Sequence, residues 1–212
     1  MVTITIGKRK DVARQWIQPS GWAGRLTVRM MNRRHSKLTD WALQYVPVRQ
    51  TDVVLDIGCG GGRTVAKLAA IAAAGRVTGI DPAEASVDVS RKTNANRRNV
   101  EILRASVSDM PFPDSTFDAV TAVETHYYWP DLVTDLREVL RVMKPGGTFA
   151  IIAEAYKGAK YGRMMQEFER LAQITLLTPD EHRHALVTAG FSDVQVQEAA
   201  DKGWICVTGR KA

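Results

Sequence analysis

The fold is decided by Val53-Val54-Leu55-Asp56-Ile57-Gly58-Cys59-Gly60-Gly61-Gly62-Arg63-Thr64. Its β-branched and leucyl start predicts a buried strand, and the pattern that opens at Thr64 predicts a helix. Glycines have no Cβ, so backbone N–H groups in the turn can approach a ligand closely. Strand, glycine-rich turn and helix in this order indicate a nucleotide-binding loop. Asp56 ends the strand, where open α/β sheets bind their ligands.

Strand and helix patterns alternate after this turn. Further strands are predicted over 77–81, 100–105, 117–123 and 148–154, with helices over 62–74, from Pro82 onward and over 132–142. Alternation of this kind requires parallel strands joined by right-handed crossovers. Helices over 161–176 and 179–189 and two short runs, 194–197 and 204–209, complete the chain. We therefore expect an α/β fold with a doubly wound, mostly parallel seven-stranded sheet whose last strand is antiparallel.

The first 50 residues form a separate basic segment. They carry ten Lys or Arg against two Asp, a net charge of +8, whereas the whole chain of 212 residues carries +6. Helical patterns over 11–17, 22–34 and 39–46 predict a helical lid, so we divide the chain into an N-terminal helical segment, residues 1–50, and one ligand-binding domain of strands and helices, residues 51–212. A solvated helical face and a surface for an acidic substrate, nucleic acid or membrane all explain this charge.

Composition narrows the class of protein. Apolar residues make up 45% and charged residues 25%, as in ordinary globular domains. The sequence has no apolar run near the roughly 20 residues of a membrane span and no signal peptide, so we expect a cytoplasmic protein. Cys59 and Cys206 have neither metal-ligand nor disulfide spacing. We expect no metal site.

Asp81 ends the second predicted strand, 25 residues after Asp56. A carboxylate at this strand tip is placed to accept hydrogen bonds from both hydroxyls of a ribose. A helix N-cap before Pro82 is the structural alternative, and the two roles can coexist.

Four ordered motifs resemble those of class I S-adenosylmethionine-dependent methyltransferases, most closely those that methylate small molecules. The motifs are the glycine turn, Gly-Ile-Asp-Pro at 79–82, Met-Pro-Phe-Pro-Asp-Ser-Thr-Phe-Asp at 110–118 and Arg-Val-Met-Lys-Pro-Gly-Gly at 141–147. The last two have no role in a nicotinamide or flavin enzyme, and the glycine spacing of the turn also argues against one. The resemblance implies S-adenosylmethionine as cofactor and S-adenosylhomocysteine as product.

The resemblance also implies which residues bind this cofactor. The turn would lie against its methionine part, with Asp56 organising the turn, Asp81 on the ribose and Pro82 beside the adenine. Ser106 stands where the family commonly has an adenine-binding Asp, and the backbone of Val107 can replace that contact. The cofactor-binding residues expected in full are Asp56, Gly58, Cys59, Gly60, Gly62, Asp81, Pro82, Ser106, Val107, Val123 and Glu124.

The loop after the fourth strand carries the candidate catalytic residues. Within nine residues it holds Glu124, His126, three aromatic side chains and Asp131. Methyl transfer needs alignment and, for some acceptors, removal of a proton, so His126 is the candidate general base and Tyr127 its catalytic neighbour. Glu124 can face the positive sulfonium. The alternative for His126 is a surface residue at a helix start. The alternative for the three aromatic residues is a hydrophobic staple that packs against the next helix.

Candidate substrate residues lie in the loop after the fourth strand, in the lid and after the fifth strand. They are Trp22, His35, Tyr128, Trp129 and Tyr156. Tyr161 is a further candidate, and His182 and His184 are expected to face solvent.

These features predict a methyltransferase that modifies an O, N or C nucleophile of a small molecule. An RNA methyltransferase and a non-catalytic cofactor-binding subunit are the alternatives, because the N-terminal segment is basic and Ser106 replaces an acid. The sequence shows no interleaved basic and aromatic platform, so nucleic acid is not the expected partner. We expect a monomer or homodimer that binds a small-molecule methyl acceptor and does not span a membrane.

Overall fold

A computed structural model of the chain describes residues 19–158, 162–172 and 174–212. The helix predicted over 11–17 and the candidate Tyr161 lie outside these ranges. The described elements are, in chain order, α1 (Gly21–Arg34), α2 (Ser36–Ala42), β1 (Val53–Ile57), α3 (Arg63–Ile71), β2 (Arg76–Asp81), α4 (Glu84–Thr93), β3 (Val100–Arg104), β4 (Phe117–Val123), α5 (Leu132–Val142), β5 (Met143–Ala153), α6 (Gly162–Ala172), α7 (Pro179–Ala189), β6 (Ser192–Ala199) and β7 (Trp204–Arg210).

The seven strands form one sheet in the order β3-β2-β1-β4-β5-β7-β6. The first five strands of that order are parallel, and β7 runs antiparallel between β5 and β6. The predicted fold class is thereby confirmed. Chain order reverses between β1 and β4, so the loops that follow these two strands diverge and leave a crevice at their carboxyl ends.

Alternate side chains of the strands face two different helical layers. Leu55, Phe149 and Ile151 pack with α5 and α7 on one face of the sheet. Val54 packs with α3 and α4 on the other face. Ile152, next to Ile151 in β5, also points to this second face. A strand buried on both sides reads as a continuous apolar run, and this is the pattern that the sequence shows.

The N-terminal helices belong to the second layer. Leu38 and Ala42 of α2 are buried against Ala150, Ile152 and Cys206 of β5 and β7. Because α2 covers the sheet, it fixes α1 and the junction between the two helices beside the crevice. The predicted division at residue 50 stays a prediction.

The start of the fifth strand differs from the sequence prediction, as do the ends of several other elements. The fifth strand was predicted over 148–154, but β5 already begins at Met143, which pairs with Phe117. The register then shifts between Phe117 and Ala119. Gly146 has a φ of +76°, so the Pro-Gly-Gly sequence makes an irregularity inside the strand rather than a free turn.

The part of the chain that the structure describes contains no helix long and apolar enough to cross a membrane.

Two valines on neighbouring helices test the packing. Val139→Ala in α5 removes two fully buried methyl groups, and we expect the free energy of unfolding to fall by about 2 kcal/mol. Val187→Ala in α7, where the side chain is 54% exposed, should change it by less than about 0.5 kcal/mol. Urea denaturation of both variants measures the difference, and equal losses would contradict the described core.

Candidate active site

The glycine turn is held in a conformation that only glycine adopts easily. Gly58, Gly60 and Gly62 have φ values of +67°, +51° and +79°. The Cys59 N–H donates to the carbonyl of Ile80 at 2.9 Å, which fixes the turn against the end of β2. The turn therefore sits over the crevice between β1 and β4 with its shape determined by backbone bonds.

Asp81 is bonded to this turn. Its Oδ2 accepts from the Gly60 N–H at 3.0 Å and its Oδ1 from the Ala83 N–H at 2.9 Å. The N-cap of α4 is Ala83, so the alternative of Asp81 as the cap residue is wrong. Burial raises the pKa of Asp81, and hydrogen bonds from Ala83, Gly60 and the Ser86 side chain oppose this shift. A carboxylate has about four acceptor sites, so these three donors do not use all of them.

Asp56 lies beneath the turn and is 1% exposed. The Thr121 hydroxyl donates to its Oδ1 at 2.7 Å. Burial raises the pKa of Asp56 to about 7; the Thr121 hydrogen bond opposes this shift and the charge of Asp81 adds to it. A cation bound in the cavity would offset this desolvation and favour the ionised carboxylate.

Glu124 begins the loop after β4 with a φ of +57°, a strained value for a residue other than glycine. Its N–H donates to the carbonyl of Ile152 at 2.9 Å. Its Oε2 accepts from the Tyr127 hydroxyl at 2.6 Å and its Oε1 from the N–H of Glu154. Burial raises the pKa of Glu124.

One cavity joins these groups. It is lined by 13 of the residues that the sequence predicted for the site: His35, Asp56, Gly58, Cys59, Gly60, Asp81, Pro82, Ser106, Val107, Val123, Glu124, Tyr128 and Trp129. Asp56 and Asp81 thus lie on the same side of the sheet. Gly62 does not line the cavity; it forms the N-cap of α3, and a Cβ there would lie 2.3 Å from the Ser90 hydroxyl.

Four other predicted site residues lie away from the cavity lining. Trp22 is 76% exposed on α1, and Tyr156 is buried with its hydroxyl donating to Oε2 of Glu198 at 3.2 Å. Tyr127 is buried behind Glu124, and its pKa is raised well above the usual value by burial. His126 is buried against α7. The structure therefore gives none of them a cavity position.

His126 and His182 form a buried pair. Their Nε2 atoms are 2.9 Å apart, and Nδ1 of His182 is 2.8 Å from the carbonyl of Thr178. Because a carbonyl only accepts, the proton of neutral His182 lies on Nδ1, so His126 donates through Nε2. Burial lowers the pKa of both histidines. The expectation that His182 faces solvent is wrong. His126 is buried and bonded to His182, so its ring does not face the cavity as a general base would.

The sequence predicted a lid with Trp22 and His35 as its substrate candidates, but it did not identify the other residues of the N-terminal helices that line the cavity. Val28, Met31, Ser36 and Thr39 line it beside His35. No motif marks these residues. Glu154 was also missed, although it follows the tip of β5 and the strand-tip rule that selected Asp56 and Asp81 would have found it.

Three side chains among the described residues are close enough to hold a cation. They are His35, Glu124 and Glu154, with one ligand atom of each within 4.8 Å of the others. They lie far apart in the sequence, so the prediction of no metal site, which rested on spacing, did not test this arrangement.

Comparison with known proteins identifies the family of this chain. Residues 55–151 match the family model described as a methyltransferase domain. The chain is 31% identical over 173 residues to a demethylmenaquinone methyltransferase of Staphylococcus aureus, a match that spans 71% of this chain and 72% of the relative. The chain belongs to the class I S-adenosylmethionine-dependent methyltransferases. It is thus an enzyme of this class, and S-adenosylmethionine is its cofactor.

Solved structures share the fold. A chain from a complex with the Haloferax volcanii Trm112 methyltransferase activator superposes with a TM-score of 0.77 at 23% identity, over 96% of this chain and 97% of that one. An S-adenosylmethionine-dependent methyltransferase of Aquifex aeolicus gives 0.74 at 21% identity, over 89% and 98%.

Two glycines with similar φ angles, Gly58 and Gly21, test the role of the glycine turn in cofactor binding. A Cβ at Gly58 would lie 2.3 Å from the Thr125 hydroxyl oxygen, whereas nothing lies within 4 Å of one at Gly21, whose φ is +60°. We expect Gly58→Ala to weaken S-adenosylhomocysteine binding at least about tenfold, since the turn and the β4 loop must separate. Gly21→Ala should bind normally in calorimetry. Equal affinities would show that this contact does not shape the site.

The buried histidine pair predicts a pH dependence of stability. Histidines with lowered pKa values in the folded state bind protons more readily when unfolded, so their contribution to stability is lost as the pH falls below about 6.5. We expect the free energy of unfolding to fall less between pH 7 and pH 5 in the double variant that carries His126→Leu and His182→Leu than in the wild type. His184→Leu, on the exposed face of α7, is the control and should keep the wild-type difference.

Proposed function

We propose that this methyltransferase modifies a small molecule, using the cavity between the glycine turn, the β4 loop and the N-terminal helices. The observation that carries the proposal is that three buried carboxylates, Asp56, Asp81 and Glu124, line this one cavity. Desolvated carboxylates favour a cationic ligand. The sulfonium and ammonium groups of S-adenosylmethionine supply two positive charges.

The proposed roles of the cofactor-binding residues follow from the contacts of each. Asp81 would accept from the ribose hydroxyls through the acceptor capacity that Gly60, Ala83 and Ser86 leave unused. Asp56 and the glycine turn would hold the methionine part. Pro82, Ser106 and Val107 would border the adenine, and the Ser106 hydroxyl, which accepts from the Ser108 N–H at 3.3 Å, provides no charge there.

The acceptor would occupy the part of the cavity lined by the N-terminal helices. Val28, Met31, Tyr128 and Trp129 give this part an apolar and aromatic lining suited to a compact organic molecule. The Staphylococcus aureus relative is named for demethylmenaquinone, and this name also supports a small-molecule acceptor. A cytoplasmic location and a monomeric or homodimeric state stay predictions.

In the mechanism, the cofactor supplies an activated methyl group on sulfur. The chain would hold that group in line with the nucleophile, and the carboxylates of Asp56 and Glu124 would stabilise its positive charge.

Removal of the Asp81 carboxylate tests the cofactor part of this proposal. We expect Asp81→Ala to weaken binding of both S-adenosylmethionine and S-adenosylhomocysteine about 10- to 100-fold, because hydrogen bonds to a charged group are each worth about 1.5–3 kcal/mol. Calorimetry measures both ligands. Glu101→Ala, which removes an exposed carboxylate on neighbouring β3, should bind as the wild type does. No heat with either ligand in the wild type would refute the assignment of the cavity.

Screening with a methyl-labelled cofactor tests the acceptor class. Transfer of label to a low-molecular-weight component of a metabolite extract would support the proposal. Label found only in RNA, with a steep dependence on salt concentration, would instead favour the RNA alternative.

A further inference from the structure

His35, Glu124 and Glu154 form a cluster at the side of the cavity where the acceptor is proposed to bind. Nε2 of His35 lies 3.6 Å from Oε1 of Glu154. His35 and Glu124 line the cavity, and the side chains of His35 and Glu154 are both partly exposed, at 17% and 21%. An imidazole beside a carboxylate in a partly open cavity is the arrangement of a general base with an orienting acid.

The backbone holds His35 at the junction of α1 and α2. Its N–H donates to the carbonyl of Met31 at 3.2 Å, and its own carbonyl accepts from both the N–H and the hydroxyl of Thr39, at 3.0 and 2.9 Å. Leu38 of α2 is buried against the sheet. The direction of the His35 side chain is therefore set by the packing of a helix, not by a loop.

Glu124 connects the cluster to the cofactor turn. Its strained backbone persists because the bonds to Ile152, Tyr127 and Glu154 determine its position. The next residue, Thr125, lies so close to Gly58 that a Cβ on the glycine would overlap its side chain. The cluster thus adjoins the turn against which the methionine part of the cofactor is proposed to lie.

We propose that His35 is the general base of the methyl transfer and that Glu154 is its positioning residue. This inference rests on the proposed function and specifies its acceptor class: a hydroxyl, hydroquinone or ammonium group that must lose a proton to react. It replaces His126 in that role, since His126 lies outside the cavity and is bonded to His182.

The proposed methyl transfer conserves atoms and electrons. The acceptor's X–H bond breaks and the proton passes to the His35 imidazole, while the electron pair of X forms a bond to the methyl carbon. The carbon–sulfur bond breaks, and its electron pair stays on sulfur as the neutral thioether. The imidazolium that results is stabilised by the carboxylate of Glu154 at 3.6 Å and afterwards loses its proton to solvent.

A bound cation is the competing use of the same side chains. Against it, both oxygens of Glu124 already accept hydrogen bonds, from the Tyr127 hydroxyl and the Glu154 N–H. A divalent ion would compete with these donors, whereas proton transfer leaves them in place. Dependence of activity on a divalent cation, with loss in EDTA, would overturn the proposal.

The first experiment compares the wild type with His35→Gln, Glu154→Gln and His184→Gln. The probes are 1,4-dihydroxynaphthalene, catechol, 4-nitrophenol and histamine with methyl-labelled S-adenosylmethionine. We expect His35→Gln to lower kcat about 100-fold or more while S-adenosylhomocysteine affinity stays within about twofold. In Glu154→Gln the acidic limb of the kcat profile should move to lower pH. His184→Gln, whose side chain is exposed on α7, should match the wild type.

A second measurement decides the matter even if none of the four probes is methylated. Ring-nitrogen NMR of the S-adenosylhomocysteine complex, assigned with His35→Gln, follows the titration of His35. Its midpoint should fall in Glu154→Gln and stay unchanged in His184→Gln. An unchanged midpoint in Glu154→Gln, or a kcat in His35→Gln within about threefold of wild type, would overturn the role of His35. Failure of the wild type to bind S-adenosylhomocysteine would instead refute the proposed function.

Discussion

The burial of the Asp56 carboxylate is the constraint on which the cavity depends. The group is buried at the end of a central strand. Among the described contacts, the Thr121 hydroxyl is the one hydrogen-bond donor to it. An uncompensated buried charge is costly, so near neutral pH the free protein holds this group partly protonated, with a pKa of about 7. Burial also raises the pKa of Asp81 and the pKa of Glu124. A positively charged cofactor in this cavity would compensate the buried carboxylates.

Much of this architecture could be predicted from the sequence because it follows from local chemistry. The strands β1 and β4 consist mostly of apolar residues, and α5 and α7 begin and end at residues that the helix signals marked. The glycine turn and the acids at two strand tips identified the cavity, because parallel strands bring their carboxyl ends to one edge of the sheet. The family, fold class and cofactor were therefore accessible before the structure.

The remaining features depend on contacts between distant residues. His126 was the most attractive base in the sequence, but the pairing with His182, 56 positions away, buries both rings. The packing of α2 on β5 and β7 brings His35 to Glu154. On α1, Trp22, Leu26 and Met30 share one face as the periodicity predicts, yet all three are exposed. Periodicity shows which residues share a face; it does not show what that face contacts.

The contribution of the N-terminal helices to the cavity has a consequence for how such enzymes diversify. The matched family domain spans 55–151, whereas Val28, Met31, His35 and Thr39 precede it. The nucleoside-binding scaffold and this wall are therefore encoded by separate stretches of the gene. At the proposed acceptor site, substitutions in the leading stretch would change acceptor preference and leave the nucleoside-binding scaffold intact.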